Sequence, residues 1–132
     1  MRSLKRIVPS DLPTTHERFS ATLAEQGFGV LSDIDVQAIF ETKLGAEHEP
    51  HHILGVCNPQ FAKQALDMDR DIALLLPCTA TLRGVDGGTE VAILDPEHAF
   101  TLADEATRER LAPIAGEVRA RLAAALDALA AS

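Results

Sequence analysis

Apolar residues along this chain fall into short strand-like runs separated by helical spacings, and a long helical stripe takes over only at the end. Residues 4–8 have the length of an edge strand, stopped by Pro9, which has no N–H to give a ladder. Thr14 and Glu17 form a capping box for a first helix with Phe19 and Leu23 on its apolar face, closed by Gly27. Residues 28–34 read as a second strand. Asp35 caps a second helix with Val36, Ile39, Phe40 and Leu44 on its apolar side, ended by Gly45. A polar loop over 46–50 leads to a third strand, 51–57, whose alternation sets His51, Ile53, Gly55 and Cys57 on one face and His52, Leu54 and Val56 on the other.

Asn58-Pro59 is a strong helix start: Asn accepts from an exposed amide, and Pro lacks the donor that would otherwise be orphaned. Phe61, Ala62, Ala65 and Leu66 give that helix a buried face. The apolar run that follows predicts a fourth strand over about 72–83, interrupted by Pro77. Asp86-Gly87-Gly88 is a hairpin turn, with an antiparallel return over 89–94. Asp95-Pro96 repeats the capping chemistry of Asn58-Pro59 ahead of a short helix through Phe100 and Leu102. Pro113 is expected to separate or kink that helix from the last one, whose stripe is Leu111, Ala115, Val118, Leu122, Ala125 and Leu129.

This order predicts an α+β fold. One domain over 1–132 has two layers, a single mixed sheet of about five strands with helices mainly on one face, and a long C-terminal helix. A doubly wound α/β fold is the alternative, weakened by the lack of any Gly-rich phosphate loop.

The chain has 132 residues, 46% of them hydrophobic, enough for one core of ordinary composition. With no Trp, no Tyr and five Phe, that core is aliphatic, and stacking platforms for single-stranded nucleic acid are missing. A net charge of −8 with no basic stripe argues against nucleic-acid partners. No segment approaches a membrane span or a secretory h-region, so a soluble, cytoplasmic protein is expected, with its two cysteines as free thiols.

Cys57 precedes a helix N-terminus, where amide dipoles stabilise a thiolate; it is therefore a candidate for redox or sulfur-handling chemistry, set against the plainer role of a small buried hydrophobe. Cys78 alternates with Leu74 and Leu76 and favours the plainer role. His51 and Cys57 are about 20 Å apart along an extended strand, too far to share an ion. His48 and His52 could converge through the loop and are the alternative metal-binding pair. Pro77 removes a ladder bond and marks a bend beside a potential site. The reading therefore centres a small pocket on Cys57, Asn58, Pro77 and Cys78. No catalytic residue, resident metal or cofactor is expected.

Lys43-Leu44-Gly45, Ile53-Leu54-Gly55-Val56-Cys57-Asn58-Pro59, Ala62, Ala65-Leu66 and Leu74-Leu75-Leu76-Pro77-Cys78 together resemble the family catalogued as domain of unknown function 302, from about Thr14 to the C-terminal helix. Members often carry Asn-Val after the second cysteine, where this chain has Thr79-Ala80. The resemblance implies an α+β fold and a homodimer, and no reaction. The functional expectation is a non-enzymatic, homodimeric binding or interaction module. Its dimer contact is expected on the C-terminal helix, where Ala123 and Leu126 widen the apolar stripe, or on an exposed sheet edge.

Overall fold

A computed structural model describes residues 1–132. The elements in chain order are β1 (Ser3–Val8), α1 (Leu12–Glu25), β2 (Gly29–Asp35), α2 (Val36–Leu44), β3 (His51–Cys57), α3 (Pro59–Met68), β4 (Cys78–Val85), β5 (Gly88–Leu94), α4 (Pro96–Ala99) and α5 (Glu105–Ala131). The five strands form one sheet in the order β1-β5-β4-β3-β2. All four pairings are antiparallel, so the α+β two-layer expectation holds while the mixed sheet does not. Each helix between strands returns the chain to an antiparallel neighbour or to the far edge, and no parallel crossover is made.

One face of the sheet is sealed. Leu54, Val56, Ala80, Leu82, Val91 and Ile93 point to it and are fully buried. The stripe on α5 lies over them: Leu111, Ala115, Val118, Leu122, Ala125 and Leu129 are each at most 6% exposed, and so is Leu126. The apolar surface expected to join two copies through this helix is thus spent inside the domain. Pro113 neither separates nor ends the helix, which runs unbroken from Glu105 to Ala131. Pro113 cannot donate a backbone bond, but Leu111, Ile114 and Ala115 around it are packed into the core and hold the turn in place.

Two local expectations are corrected. The first helix is capped by Asp11, whose Oδ1 accepts from the Thr14 N–H at 2.9 Å, with Pro13 in the first turn. Thr14 is therefore the recipient of a cap rather than the cap. The predicted fourth strand begins six residues late. Asp69 caps a 3-10 turn over Arg70–Leu75, accepting from the Asp71 N–H at 2.9 Å, and β4 starts only at Cys78, after a cis Leu76-Pro77 bond. Burial shows why: Ile72 is 2% exposed while Leu74 is 86% exposed, a helical pattern that an all-aliphatic run conceals.

β2 carries a bulge. Val30 pairs with Val56, but Ser32 pairs with Gly55 and Asp33 with Leu54, so Leu31 is the extra residue. Beyond it every side chain is on the opposite face from the one an unbroken ladder would give it. Asp33 and Asp35 turn to the helical side, and Ser32 and Ile34 to the open side.

The chain ends are joined through Asp95, which is 2% exposed. Its carboxylate caps α4 by accepting from the Glu97 N–H at 2.9 Å, and it also accepts from Arg2 and Arg119, each at 3.1 Å. One side chain thus holds β1, the end of β5, α4 and α5 together. Burial pushes this carboxyl up, but the Arg119 bond, the Glu97 amide and both cations outweigh it and leave it below the ordinary carboxylate range. Asp95→Ala should lower the unfolding free energy by about 2 kcal/mol, the scale of lost charge-assisted bonds, in urea denaturation. Because the folded pKa is depressed, this contribution is present above the unfolded value of about 3.9 and is lost as the pH falls through the folded one. The gap between variant and unmutated chain should therefore begin to narrow as the pH falls below about 4.

Candidate functional site

The four residues singled out in the sequence sit on two sides of one wall. Cys57, Asn58 and Cys78 line a void of about 20 Å³ under α3, together with Phe28, Phe61 and Ile114. That is room for about one water in an apolar space. Asn58 is 7% exposed and caps α3, its Oδ1 accepting from the Phe61 N–H at 3.5 Å. Its Nδ2 donates to the Gln26 carbonyl, also at 3.5 Å, which ties the start of α3 to the end of α1. Gly27 makes this approach possible: it has φ +83°, and a Cβ there would meet Asn58 Nδ2 at 2.9 Å. Arg121 from α5 lies 5.1 Å over the Phe61 ring and covers the same corner.

Neither thiol is activated. Burial pushes Cys78 up to about 11, with the nearby Cys57 adding to the shift, and burial raises Cys57 as well. The helix N-terminus beside Cys57 is occupied by the Asn58 cap.

Pro77 lies on the other side of the wall, and Leu76 lines both spaces. The second space is a groove of about 550 Å³ on the open side of the sheet, with ten hydrophobic residues among its sixteen. Ile34, Ile53 and Gly55 line it from the sheet, with Pro77, Leu74, Leu102 and His98 beside them. Gly55 is needed here: a Cβ at that position would collide with Ser32 Oγ and come within 2.6 Å of Pro77 Cγ. The bulge in β2 supplies Ser32 and Ile34 to this face, a contribution that simple alternation from residue 28 does not reveal.

The histidines divide in the same way. His48 and His52 do not converge. His48 Nε2 lies 3.0 Å from His51 Nδ1 with the rings stacked, and Phe40 meets His48 edge-on. His51 is held below its ordinary value by burial first and by the His48 charge next. His52 faces the helical side, where its Nδ1 lies 2.6 Å from Asp33 Oδ1, while His16 Nε2 from α1 lies 2.7 Å from Asp33 Oδ2. One donor atom from each of His16, Asp33 and His52 lies within 4.8 Å of the others. Neither His16 nor Asp33 stands out in the sequence, since their meeting depends on the bulge; the one available trace is the break in alternation between Leu31 and Ile34.

The geometry defines a small α+β protein with one helical face and one grooved open face. The family model described as "Domain of unknown function DUF302" matches residues 4–129, and the chain belongs to that family. It is similar to the crystal structure of an uncharacterized conserved protein DUF302 from Bacillus stearothermophilus, with 31% identity, a TM-score of 0.86 and 98% of each chain covered. No curated protein matches it. No helix is long and apolar enough to cross a membrane.

Because both thiols are shifted upward, native protein at neutral pH should react slowly with a charged alkylating reagent and quickly after unfolding. Mass spectrometry of the modified chain would read this directly; fast labelling of Cys57 in the folded state would contradict it.

Proposed function

We propose that this protein is a non-enzymatic binding module that works as a homodimer, taking a small, largely apolar molecule in the groove beside Pro77. The observation that carries this reading is the groove itself. Its volume of about 550 Å³ falls within the roughly 300–1,000 Å³ usual for small-molecule sites, and its lining is mainly apolar with few polar groups, among them Ser32, Thr79 and His98. Cys57, Asn58 and Cys78 then serve the site from behind, fixing Leu76 as the wall between void and groove. Two free thiols and the acidic balance are consistent with a reducing, cytoplasmic setting.

The dimer reading now rests on the open face rather than on α5. Leu74 is 86% exposed, Leu102 79% and Ile34 44%, and all three line the groove. Apolar side chains gathered on one uncovered sheet face mark an interaction surface. A second copy related by a two-fold axis would cover these side chains and close the groove from above.

Light scattering should give about twice 14.2 kDa for the unmutated chain, and Leu74→Glu should reduce it to a folded monomer, because Leu74 contributes almost nothing to the core. A concentration-independent mass of 14.2 kDa for the unmutated chain would end the dimer reading. For the groove, Thr79→Trp places a large ring on its exposed floor. Binding of the apolar fluorophore 1-anilinonaphthalene-8-sulfonate should weaken by about tenfold or more, roughly the 1.4 kcal/mol of one lost apolar contact. Unchanged affinity in a folded variant would remove the groove as the site.

A further inference from the structure

We infer that His16, Asp33 and His52 form a binding site for a divalent first-row transition-metal ion, on the helical side of the sheet and separate from the groove. Three elements contribute one side chain each: α1 gives His16, β2 gives Asp33 and β3 gives His52. The donor atoms lie within 4.8 Å of one another. Around a tetrahedral ion with bonds of about 2.0–2.1 Å, neighbouring donors are about 3.3 Å apart. Both rings already lie nearer than this to Asp33, at 2.7 and 2.6 Å, so an ion would enter by opening these two bonds, and the side chains are free to move: His16 is 29% exposed, Asp33 36% and His52 24%.

The chemistry of the set is specific. Two imidazole nitrogens and one carboxylate oxygen suit zinc, nickel, copper or iron, whereas calcium and magnesium take oxygen shells. Three protein donors leave at least one coordination position for water or a further ligand. Without an ion, Asp33 can only accept, so both rings present an N–H to it, and the carboxylate sits between two donors.

Two further observations point the same way. The bulge at Leu31 turns Asp33 to this side, and it does so while leaving Ile34 44% exposed on the other. An unbroken ladder would set Asp33 opposite Ile53, on the open face and away from both rings. Bulges re-aim side chains at sites, and this one works against burial. Asp35, re-aimed by the same bulge, has Oδ2 3.9 Å from His52 Nε2, beyond hydrogen-bond reach, and adds a second negative charge beside the cluster.

The test uses chelator-stripped full-length protein titrated calorimetrically with zinc chloride. One ion per chain is expected, with a rise in melting temperature as the ion bridges α1 to the β2–β3 edge. His16→Ala and Asp33→Ala should each weaken zinc binding at least tenfold and abolish that rise, while His48→Ala, which alters the separate His48–His51 stack, should leave both unchanged. His16→Ala is the decisive variant should Asp33→Ala fold poorly, since alanine at a surface helical position is well tolerated. No saturable zinc binding, or binding that survives His16→Ala and is lost in His48→Ala, would overturn the assignment.

Discussion

A single extra residue in the edge strand, Leu31, decides what each face of this molecule offers. An antiparallel ladder fixes side chains at a period of two, so one unpaired residue exchanges the faces of everything beyond it. Here the exchange delivers Asp33 and Asp35 to the rings of His16 and His52 and sends Ser32 and Ile34 to the floor of the groove. Both candidate sites depend on the same irregularity. It is tolerated because the core does not need this part of β2: Leu54 and Val56 on β3 are already sealed, and the edge strand past Val30 lies mostly outside the core.

The rest of the fold keeps the two faces distinct. The α5 stripe is consumed in covering one side of the sheet, and Asp95 binds that helix to the first and last strands. No long helix is left for the other side, where only the short α4 reaches the groove, through His98 and Ala99. Leu74 and Leu102 project there from short turns, and the sheet presents Thr79, Thr81 and Arg83 between them and the hairpin. The asymmetry makes the open face the natural place for a ligand or a second copy, and leaves the metal cluster at the edge, where α1 overhangs β2 and β3.

Much of this was legible in the sequence. Asn58-Pro59 and Asp95-Pro96 mark true helix starts, since capping is chemistry between near neighbours. The C-terminal stripe identifies the buried side of α5 residue by residue, and it packs on the chain's own sheet. What was illegible is non-local or hidden by uniform composition. An all-aliphatic run such as Ile72 to Leu76 carries no period, so a 3-10 turn and a strand look alike until Asp69 is seen as a cap. The bulge has no residue signature of its own, and without it neither the His16–Asp33–His52 cluster nor the role of Ile34 can be anticipated. Of Cys57, Asn58, Pro77 and Cys78, Pro77 faces a different space from the other three, because β4 starts only after it.

The register of β2 against β3 is the measurement on which this account turns. Cross-strand nuclear Overhauser contacts in solution report it without any substitution. The account predicts contacts that pair Asp33 with Leu54 and Ile34 with Ile53, with Leu31 unpaired between Val30 and Ser32. An unbroken ladder, with Leu31 opposite Gly55 and Asp33 opposite Ile53, would contradict it and would dismantle both faces as described.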